Sequence, residues 1–148
     1  MPAFEQSLRL AALLWTLLGL FCFRVAGQAL VAFSNVEFLP PMQQWYSGLL
    51  PYRYLLPSQI IIVALMVKIC VDFTRGHGIF VKPRRFFAVH WFYFGCTYLV
   101  VMVARYPVHM YLNPEARWFG GTIPIFFHWV LAAFVVIVGL HHRRQLSP

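Results

Sequence analysis

The sequence predicts an all-α integral membrane protein, a bundle of four transmembrane helices with both termini in the cytoplasm. Of the 148 residues, 61% are hydrophobic and only 11% are charged, which leaves too little polar surface for a water-soluble domain. Four apolar segments each approach the ~20 residues that a helix needs to cross a bilayer. The composition therefore excludes soluble enzyme folds, disordered chains and disulfide-rich secreted scaffolds, and residues 1–148 are expected to form one transmembrane domain.

The four helices are expected over residues of about 8–33, 57–73, 86–104 and 122–140. Segments of this length should be helical, because a backbone group without a hydrogen-bond partner is strongly disfavoured in hydrocarbon. Prolines mark the edges of the segments, where a missing N–H is tolerated, and we expect none inside a helix. The first segment also resembles a signal peptide, but Glu5 beside Arg9 in its leading region favours a retained span.

The connection over residues 34–56 is expected on the outer side of the membrane, and it is the least ordinary of the three. It contains Trp45, Tyr46, Tyr52 and Tyr54, a composition typical of the lipid headgroup layer. We interpret it as an interfacial belt that caps the bundle. The alternative is a lid over an intramembrane pocket.

The distribution of basic residues predicts the orientation. One side carries Arg9, Arg75, Lys82, Arg84, Arg85, Arg143 and Arg144, and the other carries Arg53, Arg105 and Arg117. Because cytoplasmic loops are enriched in Lys and Arg, the richer side, with both termini, should face the cytoplasm. The same rule explains the net charge of +8 without a nucleic-acid partner. The compact chain, without eukaryotic sorting signals, favours a bacterial inner membrane.

Ionisable residues inside the apolar segments need a partner or a function, because they are rare and costly at membrane depth. Lys68 and Asp72 share one helix face, one turn apart, and are expected to form a structural ion pair. The alternative for this pair is a proton or substrate site. Arg24, late in the first segment, is expected to extend its guanidinium to the outer interface.

A histidine near the start of each of the last two segments gives the candidate ligand-binding residues. On the third helix, His90, Tyr93 and Thr97 fall on one stripe together with Arg105, beside aromatic residues that suit an apolar pocket. On the fourth helix, His128 falls on a stripe of small residues and should point into the bundle. The two helices run antiparallel, so the two histidines are expected near opposite ends. The alternative for both is a packed helix interface with interhelical hydrogen bonds.

No cofactor and no metal site is predicted, but haem b or a pigment is kept as an alternative, because b-type haems are commonly held by two imidazoles. The open pairings are His90 with His141 or His142, and His128 with His109. The three cysteines lie too far apart for a Cys-x-x-Cys motif. No catalytic residue is assigned.

Four spans with cytoplasmic termini, a long aromatic first connection and a tight second connection resemble the layout of the emopamil-binding and sigma-2 receptor superfamily. The resemblance covers the topology of most of the chain. It implies a bundle cavity for a sterol-like or lipophilic ligand and, in some members, sterol isomerisation. The acidic residues of such sites have no counterpart within these helices apart from Asp72, so no catalytic residue is carried over.

Three functions fit these features, and the chain is expected to act without catalysis. The first is an accessory, assembly or stabilising subunit of a larger membrane complex, since the loops are short and no nucleotide motif occurs. The second is a lipophilic-ligand binder or lipid-modifying enzyme, in which His90 would exchange protons. The third is electron transfer through haem or a pigment. The expected partners are membrane lipids and either another membrane protein or a second copy of the chain.

Overall fold

The computed structural model consists of long helices joined by short connections. It describes residues 2–34, 38–45, 51–114 and 121–146, without the side chains of residues 2–6 and 43. The long helices are α1 (Pro2–Ser34), α2 (Tyr52–Arg75), α3 (Phe92–Leu112) and α4 (Ile123–Leu146). A 3₁₀ turn covers Met42–Gln44, and a π-helical turn over Phe87–Trp91 leads directly into α3. Four segments are long and apolar enough to cross a bilayer, which supports an integral multi-pass membrane protein.

The helices are longer than the sequence predicts. α2 begins before the expected residue 57, the third helix continues past residue 104, and the fourth continues past residue 140. A helix keeps its backbone hydrogen bonds paired wherever it runs, so it continues from hydrocarbon into the headgroup layer without penalty. The connection expected over residues 34–56 is correspondingly shorter on its α2 side.

Two prolines lie inside helices, and the expectation that none would do so is wrong. Pro57 lies in α2 and Pro107 in α3. Each removes one backbone hydrogen bond, which membrane helices tolerate when neighbouring groups satisfy the freed carbonyl groups.

The helices are arranged in the order α2, α1, α4, α3 across the bundle. α1 packs against α2 and α4, and α4 also packs against α3, whereas α2 and α3 make no extended contact with each other. Neighbouring helices run antiparallel, because Ser7 Oγ near the start of α1 donates to the Phe73 carbonyl near the end of α2 at 3.1 Å. The beginning of α1 and the end of α4 also meet, as Leu10 and His141 line one crevice. Both termini therefore lie at one end of the bundle.

Two glycines bring α3 and α4 into close contact. A Cβ at Gly139 would lie 2.6 Å from the backbone nitrogen of Phe92, and one at Gly95 would lie 2.9 Å from the backbone nitrogen of Val136. Small residues are the usual means of close packing between transmembrane helices, since hydrocarbon gives no hydrophobic driving force for association. The π-helical turn ends immediately before Phe92, so it lies against the end of α4.

The core lies toward the end that holds both termini. Its buried side chains come from α1, α2 and α4 and include Leu14, Leu18, Ile69, Phe73 and Phe134. The same end carries a set of exposed cations and is called the basic end: Arg9, Arg75, Lys82, Arg84, Arg85, Arg143 and Arg144. The opposite end carries the connections that follow α1 and α3.

The connection between α2 and the π-helical turn is fastened to Asp72. This carboxylate is buried, forms an ion pair with Lys68 and accepts a hydrogen bond from the Phe80 backbone N–H at 3.5 Å. Gly78, with a φ of 139°, passes so close to the carboxylate that a side chain at this position would have no room. Asp72 thus holds the connection against the basic end.

Candidate intramembrane ligand site

An apolar groove runs along the open side of the bundle between α2 and α3. Its volume is about 770 Å³, within the range of sites for small lipophilic molecules. α2 and α3 form its walls, and α4 forms its floor. The lining is almost entirely apolar or aromatic: Ile62, Leu65, Met66, Ile69, Phe86, His90, Trp91, Phe94, Tyr98, Leu131, Phe134 and Val135. Because the groove opens sideways between two spanning helices, its mouth faces lipid tails when the chain is in a bilayer.

Two polar side chains interrupt the apolar lining. The His90 ring stacks on the Phe86 ring with 4.5 Å between centroids, and its Nδ1 lies 3.1 Å from the Phe86 carbonyl oxygen. Nδ1 must donate to that oxygen, so Nε2 is left as a hydrogen-bond acceptor near the basic end. Farther along the groove, the Tyr98 hydroxyl is hydrogen-bonded to His128 Nδ1.

A second cavity, called the polar cavity, lies beyond the groove toward the opposite end of the bundle. All four helices contribute to its volume of about 380 Å³. Its polar side chains are Arg24, Ser58, Gln59, Tyr98, Arg105 and His128, and none of the described residues that line it is acidic. The cavity therefore concentrates positive charge among the helices.

Arg24 is the most deeply buried cation of the polar cavity. It is 6% exposed, and its terminal NH₂ donates to the Trp45 carbonyl at 3.2 Å. The guanidinium carbon lies 5.9 Å from the centre of the Phe127 ring. The Nε–H is also buried and has no hydrogen-bond partner among the described residues. Because an unpaired buried charge is costly, a bound group that supplies negative charge would stabilise this arrangement.

Gln59 connects α2 to α1 at the wall of the polar cavity. Its Nε2 donates to Gln28 Oε1 at 3.0 Å. The two residues are 3% and 0% exposed, and the bond leaves Gln59 Oε1 and Gln28 Nε2 without a partner in the described part of the chain. Turning over both amide groups preserves the bond and exchanges the unpaired acceptor of Gln59 for an unpaired donor. The pair is therefore able to offer either an acceptor or a donor to a bound group.

The groove and the polar cavity are direct neighbours. Ile62, Tyr98 and Leu131 line both of them. The Tyr98 ring therefore lies at the border between the groove and the polar cavity. Together the two spaces have the layout of an amphipathic site, with a long apolar part and a cationic end.

The predicted ligand residues are distributed over different surfaces. His90 lines the groove and His128 lines the polar cavity. Tyr93 is exposed and packs against a guanidinium of α4, and Thr97 is exposed and lines neither space. The groove is lined by His90, Trp91, Phe94 and Tyr98, a helix face displaced from the expected stripe, so Tyr93 and Thr97 lie outside it.

The pair of Lys68 and Asp72 lies near the basic end, and neither residue lines the groove or the polar cavity. The Lys68 side chain is 53% exposed, whereas that of Asp72 is 6% exposed. This asymmetry fits a lysine that reaches toward the headgroups and a carboxylate that holds the neighbouring connection.

The histidines considered as haem ligands lie in separate surroundings. His141 packs edge-on against Phe73, and its Nε2 donates to the Val81 carbonyl at 3.2 Å. His142 is fully buried inside α4 against the Phe87 ring, and not at the end of a helix as expected. Across the described ranges, no three His, Cys, Asp or Glu side chains come together in a way that could hold a metal ion. Haem or pigment binding stays a prediction, which a visible spectrum tests.

The described part of the connection after α1 is fastened to α1 through Trp45. Its indole is buried, and the Nε1 donates to the Pro40 carbonyl at 2.8 Å. The indole also lies so close to Gly27 that a Cβ there would be 2.6 Å from the ring. The belt and lid interpretations of residues 34–56 also involve residues 35–37 and 46–50, which lie outside the described residues.

The polar cavity has no counterpart among the sequence predictions. Arg24 is predicted to reach the outer interface, but its side chain is buried among the helices, and no role is predicted for Gln59. The signal that could have found the cavity is depth, because each antiparallel helix carries one of its polar residues at a similar distance from the basic end: Arg24, Gln59, Arg105 and His128.

Comparison of the chain with protein-family models, with curated proteins and with solved structures gave no match. The resemblance to the emopamil-binding and sigma-2 receptor superfamily therefore concerns the layout of the spans alone. The candidate site is defined by the geometry of this chain, an apolar groove that continues into a cationic cavity.

Proposed function

We propose that the protein binds a lipophilic molecule of the membrane within its helical bundle, and that it acts as a binding protein. The observation that supports this most directly is the apolar groove of about 770 Å³ between α2 and α3. A hydrocarbon chain has the matching chemistry, because it makes dispersion contacts along the apolar lining of the groove and has no polar group of its own that would need a partner there.

The arrangement of the helices gives the ligand a structural role as well. α2 and α3 make no extended contact with each other, so a chain in the groove contacts both and closes the gap between them. A ligand that binds the folded state more tightly than the unfolded state raises its stability by mass action. Bound lipid is therefore expected to raise the melting temperature of the protein.

A subunit of a larger membrane complex is the second candidate function, and the surroundings of α3 favour it. Among the long helices, α3 packs against α4 alone. Its outward face exposes a series of valines: Val100, Val101, Val103 and Val108. A helix of another membrane protein, or of a second copy, fits such a surface. A partner recovered in fixed ratio after purification in mild detergent supports this function, and a stable lone monomer contradicts it.

We also propose a bacterial inner membrane as the location, with the basic end in the cytoplasm. The exposed cations of the basic end outnumber those described at the opposite end, as expected for a cytoplasmic surface. Fusion of a reporter that folds only in the cytoplasm to the C-terminus should give signal. A reporter active only outside the cytoplasm should give none, and the reverse result contradicts the orientation.

The lipid-binding function is tested by filling the groove. Leu65 on α2 lines the groove, and a larger side chain there occupies the space of the ligand. Ile61 lies one turn earlier on the same helix, is 69% exposed and does not line the groove. The variants Leu65→Trp and Ile61→Trp therefore form a matched pair for native mass spectrometry of the purified protein with its copurified lipids.

The wild type and Ile61→Trp are expected to retain one lipid per chain, and Leu65→Trp is expected to retain it about tenfold more weakly, a change of about 1.4 kcal/mol. Equal retention in the two variants, or no retained lipid in the wild type, contradicts the proposal.

A further inference from the structure

The polar cavity lies in the half of the bundle away from the basic end. At 1.5 Å per residue, the helical rise within α1 is about 22 Å from Arg9 to Arg24. The hydrocarbon core of a bilayer is ~30 Å thick. When Arg9 lies at one headgroup layer, Arg24 therefore lies in the half of the bilayer next to the other headgroup layer.

We infer that the polar cavity binds the phosphate group of an anionic phospholipid whose acyl chain lies in the groove. This inference rests on the proposed function of the groove and adds the chemical class of the headgroup.

The charge of the cavity selects for an anion. Arg24 and Arg105 both line it, and none of the other described lining residues is acidic. The Nε–H of Arg24 is buried without a partner among the described residues, beside a terminal NH₂ group that donates to the Trp45 carbonyl. A guanidinium presents such donors in a planar fork that matches two oxygens of one phosphate.

The uncharged polar groups of the cavity favour a hydroxylated headgroup over a choline. The buried Gln59 Oε1 has no described partner, and Ser58 and Tyr98 lie on the same lining. A glycerol headgroup is able to donate a hydroxyl hydrogen to Gln59 Oε1, which a quaternary ammonium cannot do. The positive choline would also lie beside two guanidinium groups and be repelled. The cavity should therefore prefer phosphatidylglycerol to phosphatidylcholine, although both contain a phosphate.

The order of the two spaces matches the order of groups in a phospholipid. The cavity lies on the side of the groove away from the basic end, and Ile62, Tyr98 and Leu131 line both spaces. A lipid of the leaflet at the opposite end would thus keep its normal orientation, with its headgroup at the interface and its chain toward the middle of the membrane.

The test compares two lipids with identical acyl chains on delipidated full-length protein in detergent. Native mass spectrometry measures the binding of phosphatidylglycerol and phosphatidylcholine to the wild type and to variants. The wild type should bind one phosphatidylglycerol about tenfold more tightly than phosphatidylcholine. Arg24→Gln should abolish this preference. Arg53→Gln, which changes an exposed arginine at the same end, should keep it.

Arg105→Gln is the second variant, because Arg105 is only half-buried and its loss leaves less buried surface unsatisfied than the loss of Arg24. It should reduce the preference about threefold or more. Glu37 and Glu115 lie outside the described residues, and the sequence places both of them in the connections at the end opposite the basic end. The double variant Glu37→Gln with Glu115→Gln should leave the preference for phosphatidylglycerol unchanged. A stronger preference in this variant would show that these carboxylates pair with the cavity arginines, and it would overturn the inference.

A third variant tests the function of the groove independently of the headgroup site. Leu65→Trp should weaken the binding of both lipids by the same factor and keep the ratio of their affinities. If Leu65→Trp weakens both lipids while Arg24→Gln and Arg105→Gln leave the ratio unchanged, the headgroup inference is overturned and the function of the groove stands. If Leu65→Trp changes nothing, the function of the groove fails. If excess inorganic phosphate displaces the lipid, the cavity binds a soluble anion. If phosphate does not displace the lipid, the result supports a lipid headgroup in the cavity.

Discussion

Gln59 on α2, which lines the polar cavity, donates a hydrogen bond to Gln28 on α1 at 3.0 Å. Both amides are buried within membrane-spanning helices, so each has the other as its described partner. Polar bonds between helices replace the hydrophobic driving force that is missing in hydrocarbon. The pair therefore fixes α1 against α2 at the depth of the cationic cavity.

Removing one amide of this pair should lower the stability of the protein more than removing both. Gln28→Leu should lower the free energy of unfolding by about 1 to 3 kcal/mol, because Gln59 is then buried without a partner. The double variant with Gln59→Leu should recover most of that loss, since neither polar group remains. Thermal unfolding in detergent measures both, and additive losses in the double variant would contradict the coupling.

Replacing Gly139 should separate α3 from α4. The new Cβ of Gly139→Ala would overlap the backbone of Phe92, which cannot move away as a side chain does. We expect a loss of about 2 kcal/mol in the free energy of unfolding. Gly19→Ala is the matched control, because no atom lies within 4 Å of a Cβ at that helical position. A loss of stability for Gly19→Ala as large as for Gly139→Ala would refute this explanation.

Removing the Asp72 carboxylate should release the connection between α2 and the π-helical turn. Asp72→Ala loses the hydrogen bond from the Phe80 N–H as well as the ion pair. Cleavage by trypsin after Arg84 or Arg85 should become about fivefold faster, which corresponds to the loss of about 1 kcal/mol of local stability. Lys68→Gln keeps the bond to Phe80 and should change the rate less. Equal rates for both variants would show that the ion pair, and not the carboxylate, holds the connection.

Substituting His90 distinguishes the two polar ends of the site. If the headgroup lies in the polar cavity, His90→Ala should weaken lipid binding by less than about twofold, because the His90 Nε2 faces an acyl chain. Arg24→Gln should have the larger effect. The opposite order in native mass spectrometry would place the polar group of the ligand beside His90, at the basic end.

The number and approximate extent of the spans could be predicted from the sequence, because the length of an apolar helix is dictated by the thickness of hydrocarbon. The exposure of the Lys68 side chain could also be predicted, since a lysine near the end of a span, four residues from an aspartate, extends toward the headgroups. These properties depend on one helix at a time.

The lateral order of the helices could not be predicted, and neither could the inward direction of Arg24. In a membrane, the faces toward lipid and toward other helices are both apolar, so the periodicity that reveals the core of a soluble protein is weak. Pro57 and Pro107 look like helix boundaries for the same reason, because what satisfies the backbone around them lies outside the local sequence. Which flank of His90 faces the groove likewise has no signal in the spacing, since Phe94 and Tyr98 line the groove and Tyr93 does not.

If the groove binds a lipid, as we propose, its sideways mouth between α2 and α3 lets that molecule enter by two-dimensional diffusion among its neighbours without crossing the aqueous phase. Occupancy would then follow the mole fraction of that lipid in the surrounding membrane, and diluting the vesicles in buffer would leave it unchanged. The affinity of such a site is expressed as a ratio between competing lipids.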